Sequence, residues 1–485
     1  MRKNLNIRML VRLIGGLLQL EAIFLLVPLT TCLIYGEQDY IVFALTCLCA
    51  AITGYLLWRV YPTSRRMGKR EGFLLTASVW VVFSLAGMMP FIFGTPQVDV
   101  STAFFEAMSG FTTTGATILP PNENISHGII IWQAMMQWLG GMGIILFTLA
   151  IIPALNTSGG MQMFNAEVTG VTHDKIMPRI SQTAKMLWGL YFGMTLLLTV
   201  LLWAGPMTLF DSICHAFGTI STGGFSSRAG SIAEFGSDYV LIVICLFMLL
   251  SGMNFAMLFK AATGRWRLMK HDEVTCIYIY AILVFTALFA IGRFTSGNIH
   301  DWRDCTILPL FQVVSSITST GYLAPGFTIW EPFILALTFI MMFSGGCAGS
   351  TSGGAKIDRL LYMGRFLGNE LHLCTYPNSI KSVRINGKIV NRDVVAKVVA
   401  FLCIFMLLIV AGGTALSFMG LPAVDSFFSS FSCICNTGFG ASLTGYGDDF
   451  LAIPAGAKWV LSFLMLTGRL EIFTIIVLFT PSFWK

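Results

Sequence analysis

Ten apolar runs follow one another from one end of the chain to the other: 13–35, 41–58, 72–94, 128–154, 186–204, 239–259, 274–292, 327–355, 398–419 and 459–480. About 20 such residues cross a bilayer core as a helix, and a helix satisfies all of its own backbone polar groups there. The sequence therefore predicts an all-α polytopic membrane protein. Only 11% of the 485 residues are charged, against about 25% in soluble domains. That excludes a secreted disulfide scaffold, a disordered chain and a cytosolic enzyme. The 12 cysteines form no CxxC pair and read as small buried hydrophobes rather than zinc ligands. The basic start Arg2, Lys3, Arg8, Arg12 leads into a run too long for a signal core, so the first run is expected to remain as a span.

Charge orients the spans. If the N-terminus is cytoplasmic, 25 of the 30 Lys and Arg fall on that side; Arg228, Arg293, Arg303 and Lys458 fall on the other, and Arg469 lies within the last span. This split follows the positive-inside rule with both termini cytoplasmic. The outer segments hold 14 of the 24 acids, which leaves that face with a net charge of −10. A negative entrance concentrates cations.

A fourfold repeat runs through the chain. Thr113-Thr114-Gly115, Thr222-Gly223-Gly224, Ser319-Thr320-Gly321 and Asn436-Thr437-Gly438 have their last glycines 109, 97 and 117 residues apart. Each follows a short semi-apolar stretch that begins near an acid (Asp99, Asp211, Asp304, Asp425) and lies between two long spans. One such stretch is an ordinary turn; four in register make a repeat. The chain then reads as a two-helix preface (1–71) and four tandem span–pore helix–filter loop–span units (72–181, 182–272, 273–392, 393–485) around a pseudo-fourfold pore. A short helix of about 11 residues covers ~16 Å, half a bilayer, so the chain must return as irregular backbone. Such backbone is tolerated only where it is buried or lines an aqueous cavity. Carbonyl and hydroxyl oxygens there replace the water shell of a cation, and the C-terminal ends of the short helices favour positive charge.

These features resemble the TrkH/TrkG-type bacterial potassium uptake subunits of the Trk/Ktr/HKT superfamily. The resemblance rests on Gly110 to Thr117, on Gln137-Trp138-Leu139-Gly140-Gly141-Met142-Gly143 and on Met177-Pro178-Arg179-Ile180. It extends to Gly345-Gly346-Cys347-Ala348-Gly349-Ser350-Thr351, Gly468-Arg469-Leu470-Glu471 and Pro481-Ser482-Phe483-Trp484. It implies potassium as substrate and metal at the twelve loop residues named above, with Gly115, Gly224, Gly321 and Gly438 as the filter glycines. It also implies a homodimer in the bacterial inner membrane, gated by cytoplasmic TrkA-type nucleotide-binding subunits. No organic cofactor and no nucleic acid is expected. No repeat carries Thr-Val-Gly-Tyr-Gly, and Asn436 stands where the other loops have Thr or Ser.

The eighth run breaks at 344–354, which holds Gly345, Gly346, Gly349, Gly353 and Gly354. The resemblance makes this a gate below the filter; a plain kink is the alternative. A P-loop is ruled out, because Ala355 intervenes before Lys356 and no strand precedes it. Arg469, charged within a span, is functional by default: it repels cations or tethers the gate loop, with a Glu471 pair as runner-up. Glu21 has no assigned role. The basic stretch 356–397 suits anionic lipid or the regulatory subunits. The competing class is a Na+- or H+-coupled secondary transporter of another solute, which carries inverted repeats and paired breaks; here a single broken span is expected. An intramembrane hydrolase would need a Ser–His or Asp pair within the spans, and the histidines fall in loops or in one short outer helix.

Overall fold

The computed structural model describes residues 5–60, 68–119, 125–143, 180–295, 301–326, 332–379, 382–439 and 453–484. Six helices are long and apolar enough to cross a membrane: Ile7–Tyr35, Tyr40–Trp58, Arg70–Phe93, Gln182–Trp203, Glu273–Thr295 and Arg392–Phe418. The first two form the preface. The run 128–154 begins as the helix His127–Gly141; its remainder from 144 onward lies outside the described residues, as does most of the inner loop that follows.

The expectation of one broken span is corrected. The run 239–259 is a bent pair, Asp238–Ser251 with Phe255–His271 at 103°, and the last run is another, Ala455–Arg469 with Phe473–Phe479 at 112°. The eighth run breaks as expected, after the helix Pro332–Ser344. Local chemistry explains the first bend: the Asn254 side chain accepts from the Ala256 and Met257 N–H groups and starts a new helix there. At the second, Glu471 and Ile472 take positive φ of 53° and 27°. For a β-branched residue such as Ile472 that is a true outlier, held by its surroundings.

Four short helices match the four predicted half-spans: Val100–Phe111, Leu209–Ile220, Ile307–Ile317 and Ala423–Ile434. Each starts at the acid-rich face. Asp99 caps the first by accepting from the Ser101 and Thr102 N–H groups, and the Thr208 hydroxyl caps the second. The short helix of each repeat packs against the long helices of its own repeat, and the neighbouring repeats close around it. Phe339 of the third repeat, for example, meets Phe428 and Phe431 of the fourth. At the basic face, a two-stranded hairpin pairs Arg384–Ile385 with Lys388–Ile389 across an Asn386-Gly387 turn in which both residues have positive φ. That is the type I′ geometry an Asn-Gly pair favours.

Candidate functional site: a ring of four loops

The four Thr/Gly stretches share one backbone conformation. The residue two before each glycine has positive φ (Thr113 56°, Thr222 55°, Ser319 53°, Asn436 53°), and so has the glycine itself (80°, 80°, 85° and 74°). The same two hydrogen bonds fasten each stretch to its short helix. Thr113 and Thr114 donate to Gly110 and Ser109; Thr222 and Gly223 to Thr219 and Gly218; Ser319 and Thr320 to Ser316 and Ser315; Asn436 and Thr437 to Cys433 and Ser432. Three non-glycine residues in the left-handed region, plus Asn436, cost about 1–3 kcal/mol each, so this geometry is imposed by the helix ends rather than preferred by the loops.

The loops close into a ring. A Cβ added to Gly115 would collide with the carbonyl oxygen of Gly223; on Gly224 it would meet that of Thr320, on Gly321 that of Thr437, and on Gly438 that of Thr114. Each repeat thus leans on the next in chain order, and the fourth leans on the first. The twelve predicted site residues are brought together here. Thr113, Thr114, Thr222, Gly223, Ser319, Thr320, Asn436 and Thr437 are buried, whereas all four ring glycines are partly open. Only glycine fits both the positive φ and the neighbouring carbonyl.

Several supports of the ring have no mark in the Thr/Gly pattern. Gln137, on the helix His127–Gly141 of the first repeat, clamps the second loop: its Nε2 donates to the Gly223 carbonyl at 2.7 Å, and its Oε1 accepts from the Phe225 N–H at 3.1 Å. The Tyr322 hydroxyl donates to the Phe225 carbonyl at 3.3 Å, joining loops two and three. Asn436 reaches the first repeat, donating to the Thr114 hydroxyl at 3.0 Å and to the Met465 carbonyl at 2.9 Å. At the acid-rich face, Arg228 pairs with Asp211 at 2.9 Å. Burial pushes the Asp211 carboxyl up, but the donors Arg228, Ser227 and Thr208 outweigh it and hold the group below its ordinary value. Asp99 is likewise lowered, to about 2: burial opposes this, and the Ser101 and Thr102 donors dominate.

The interrupted segment lies directly beneath the ring. Gly345, Gly349 and Gly354 have φ of 62°, 75° and 76°, and a side chain on Gly346 or Gly353 would run into the backbone of Gly252 or Cys435. The segment touches the ends of three short helices. The Thr351 hydroxyl donates to the Ile220 carbonyl at 3.2 Å, the Gly353 N–H to the Ser319 hydroxyl, and the Gly354 N–H to the Cys435 carbonyl at 3.0 Å. Arg469 completes the circuit. It donates to the Thr351 carbonyl at 2.8 Å and to those of Gly140 and Gly141, in the first repeat, at 2.6 and 2.7 Å. Its guanidinium also faces the Trp80 ring. The runner-up pairing of Arg469 with Glu471 is not what forms: Glu471 pairs with Arg359, which lies over the Phe401 ring at 3.9 Å. Among the described residues, no cluster of His, Cys, Asp or Glu could hold a metal ion.

This fold and site define a class: a single-chain membrane protein whose four tandem repeats close into one ring, carbonyl to glycine. A family model described as "Cation transport protein", TrkH, matches residues 40–485. The Trk system potassium uptake protein TrkH of Salmonella typhimurium is 35% identical, over 99% of this chain and 100% of its own. The Trk system potassium uptake protein TrkG of Escherichia coli K12 is 29% identical over 99% of both. The crystal structure of the potassium transporter TrkH from Vibrio parahaemolyticus superposes with a TM-score of 0.90 at 31% identity, covering 99% of this chain and 100% of that one. The chain belongs to the TrkH family of cation transport proteins.

Proposed function

We propose that this chain takes K+ up across the bacterial inner membrane through the ring of four loops. The observation that carries the reading is the ring closure itself, in which four glycine loops meet carbonyl to glycine around one axis. Thr113, Thr114, Gly115, Thr222, Gly223, Gly224, Ser319, Thr320, Gly321, Asn436, Thr437 and Gly438 form the filter, and their oxygens replace the ion's water shell. The short helices direct their partly negative ends at it. The ion is driven inward by the membrane potential, at about 2.3 kcal/mol per charge per 100 mV. Residues 345–354 are the gate, and Arg469 is both its tether and a positive barrier below the filter. Both termini are cytoplasmic, the chain pairs as a homodimer, and TrkA-type nucleotide-binding subunits act on the basic face. The relatives named for potassium uptake support the substrate.

The test is uptake of radiolabelled Rb+ into liposomes holding the purified chain, at fixed potential and without a pH gradient. Uptake that K+ suppresses well below the concentration at which Na+ does is the expected result. Uptake indifferent to K+, or absent both with and without the regulatory subunits, overturns the reading.

A further inference from the structure

The position nine residues before each ring glycine holds Glu106, His215, Gln312 and Ser429. All four are buried in the short helices that carry the loops. Glu106 receives the loop leaving its own ring glycine: its Oε1 accepts from the Ile118 N–H and, at 3.3 Å, the Leu119 N–H. The Thr117 hydroxyl donates to it at 3.0 Å, and Gln133 Nε2 donates to its Oε2 at 3.1 Å. Backbone N–H groups and an amide nitrogen can only donate, so the carboxyl oxygens act here as acceptors. His215 makes the equivalent contact in repeat two. Its Nδ1 faces the Asp211 carbonyl at 2.8 Å, a pure acceptor, so Nδ1 carries the proton and Nε2 accepts from the Ser226 hydroxyl at 3.0 Å. In repeat three, Gln312 Oε1 accepts from the Ala324 N–H at 2.9 Å. The hydroxyl of Ser429 has no partner among the described residues.

We propose that this position is a filter brace: Glu106, His215 and Gln312 are positioning residues that fix the outer end of three loops, and the Glu106 carboxyl, once ionised, adds negative charge behind the first. The proposal rests on the reading of the ring as a cation filter. A loop with two left-handed residues springs outward unless its exit is held, and carbonyls that tilt away lose the radius that selects one cation over a smaller one. Three different side chains at one repeat position each take a hydrogen bond from the chain two or three residues past the ring glycine, which separates a brace from incidental packing.

The test is equilibrium cation binding by the purified full chain, read as the concentration of KCl or NaCl that gives half of the rise in melting temperature, with choline chloride holding ionic strength. In buffer well above neutral pH, which ionises a buried carboxyl, Glu106→Gln is expected to raise the half-saturating K+ concentration about tenfold and to narrow the K+/Na+ difference, the order set by removing one charge near the ring in an effective dielectric of about 20. Gln312→Glu, which keeps the acceptor for Ala324 and adds a charge, lowers it several-fold. A purely structural role would shift only the melting temperature in choline. Unchanged half-saturation in Glu106→Gln and Gln312→Glu overturns the brace; if Glu106→Gln does not fold, Gln312→Glu decides alone. A wild-type chain that binds Na+ more tightly than K+ defeats the potassium reading, while the same variants, titrated with Na+, still judge the brace. A wild-type chain indifferent to every cation defeats both.

Discussion

Replacing Gly321 by Ser strains the ring at a place where the cost can be worked out. At φ of 85°, an L-residue costs roughly 1–2 kcal/mol over glycine. The new Cβ would lie well inside the contact radius of the Thr437 carbonyl oxygen, so the two must part by about 1 Å or more before the repulsion ends. That oxygen belongs to the neighbouring wall, so the perturbation reaches a second loop. A carbonyl withdrawn by this much stops ligating the larger ion, while water takes its place readily for the smaller one. A loss of one to two kcal/mol of discrimination lowers the K+/Na+ permeability ratio about 5- to 30-fold. The assay is the reversal potential of reconstituted protein under opposed KCl and NaCl. Gly193→Ser is the control: this glycine sits on an exposed helix face, and a Cβ there meets nothing within 4 Å. An unchanged ratio in correctly inserted Gly321→Ser protein would refute the assignment of the ring as the selectivity filter.

Three further outcomes follow from the same geometry. Arg469→Gln removes charge-assisted hydrogen bonds to Thr351, Gly140 and Gly141, each worth about 1.5–3 kcal/mol, so basal K+ flux should rise about tenfold; flux at or below wild type would argue against a tether. Deleting 345–349 removes the Cys347 and Ala348 anchors on Gly252 and Asn254 and should raise flux without regulatory subunits, which the Rb+ uptake assay reads directly. Gln137→Ala leaves the buried Phe225 N–H and Gly223 carbonyl without their bridge, at about 1–3 kcal/mol. The melting temperature should fall, and the K+/Na+ ratio with it; a fall in melting temperature alone would place Gln137 outside the filter's support.

Much of this architecture was legible because a repeat multiplies weak signals. No single Thr/Gly stretch identifies a loop at membrane depth, yet the shared local pattern located all four ring glycines, and the glycine count marked 344–354 as a break. The bends after Ser251 and Arg469 were not legible, because apolar composition states how much chain can lie in lipid and nothing of its direction. Asn254, a capping residue inside an apolar run, was the available clue to the first. Ile472 gave none for the second, since its positive φ runs against its intrinsic preference and is imposed by tertiary packing. The Asn386-Gly387 hairpin, by contrast, carried a direct signal between its short apolar flanks. Glu106 counted only as one more acid of the outer segments, and His215 only as the histidine of a short outer helix. Their shared register shows only once the ring glycines are used as the origin of counting.

The carbonyl-to-glycine closure has a consequence for how such a pore can change over generations. In a pore assembled from four copies of one subunit, a single codon rewrites every wall at once. Here one codon rewrites one wall, and because each loop leans on the next in a fixed sense, its effect travels one way: a lesion in the third loop falls on the fourth, and one in the fourth falls on the first. Variation is therefore sampled in quarter steps with a preferred direction, and Asn436, standing where the other loops keep a hydroxyl, is one such step already taken.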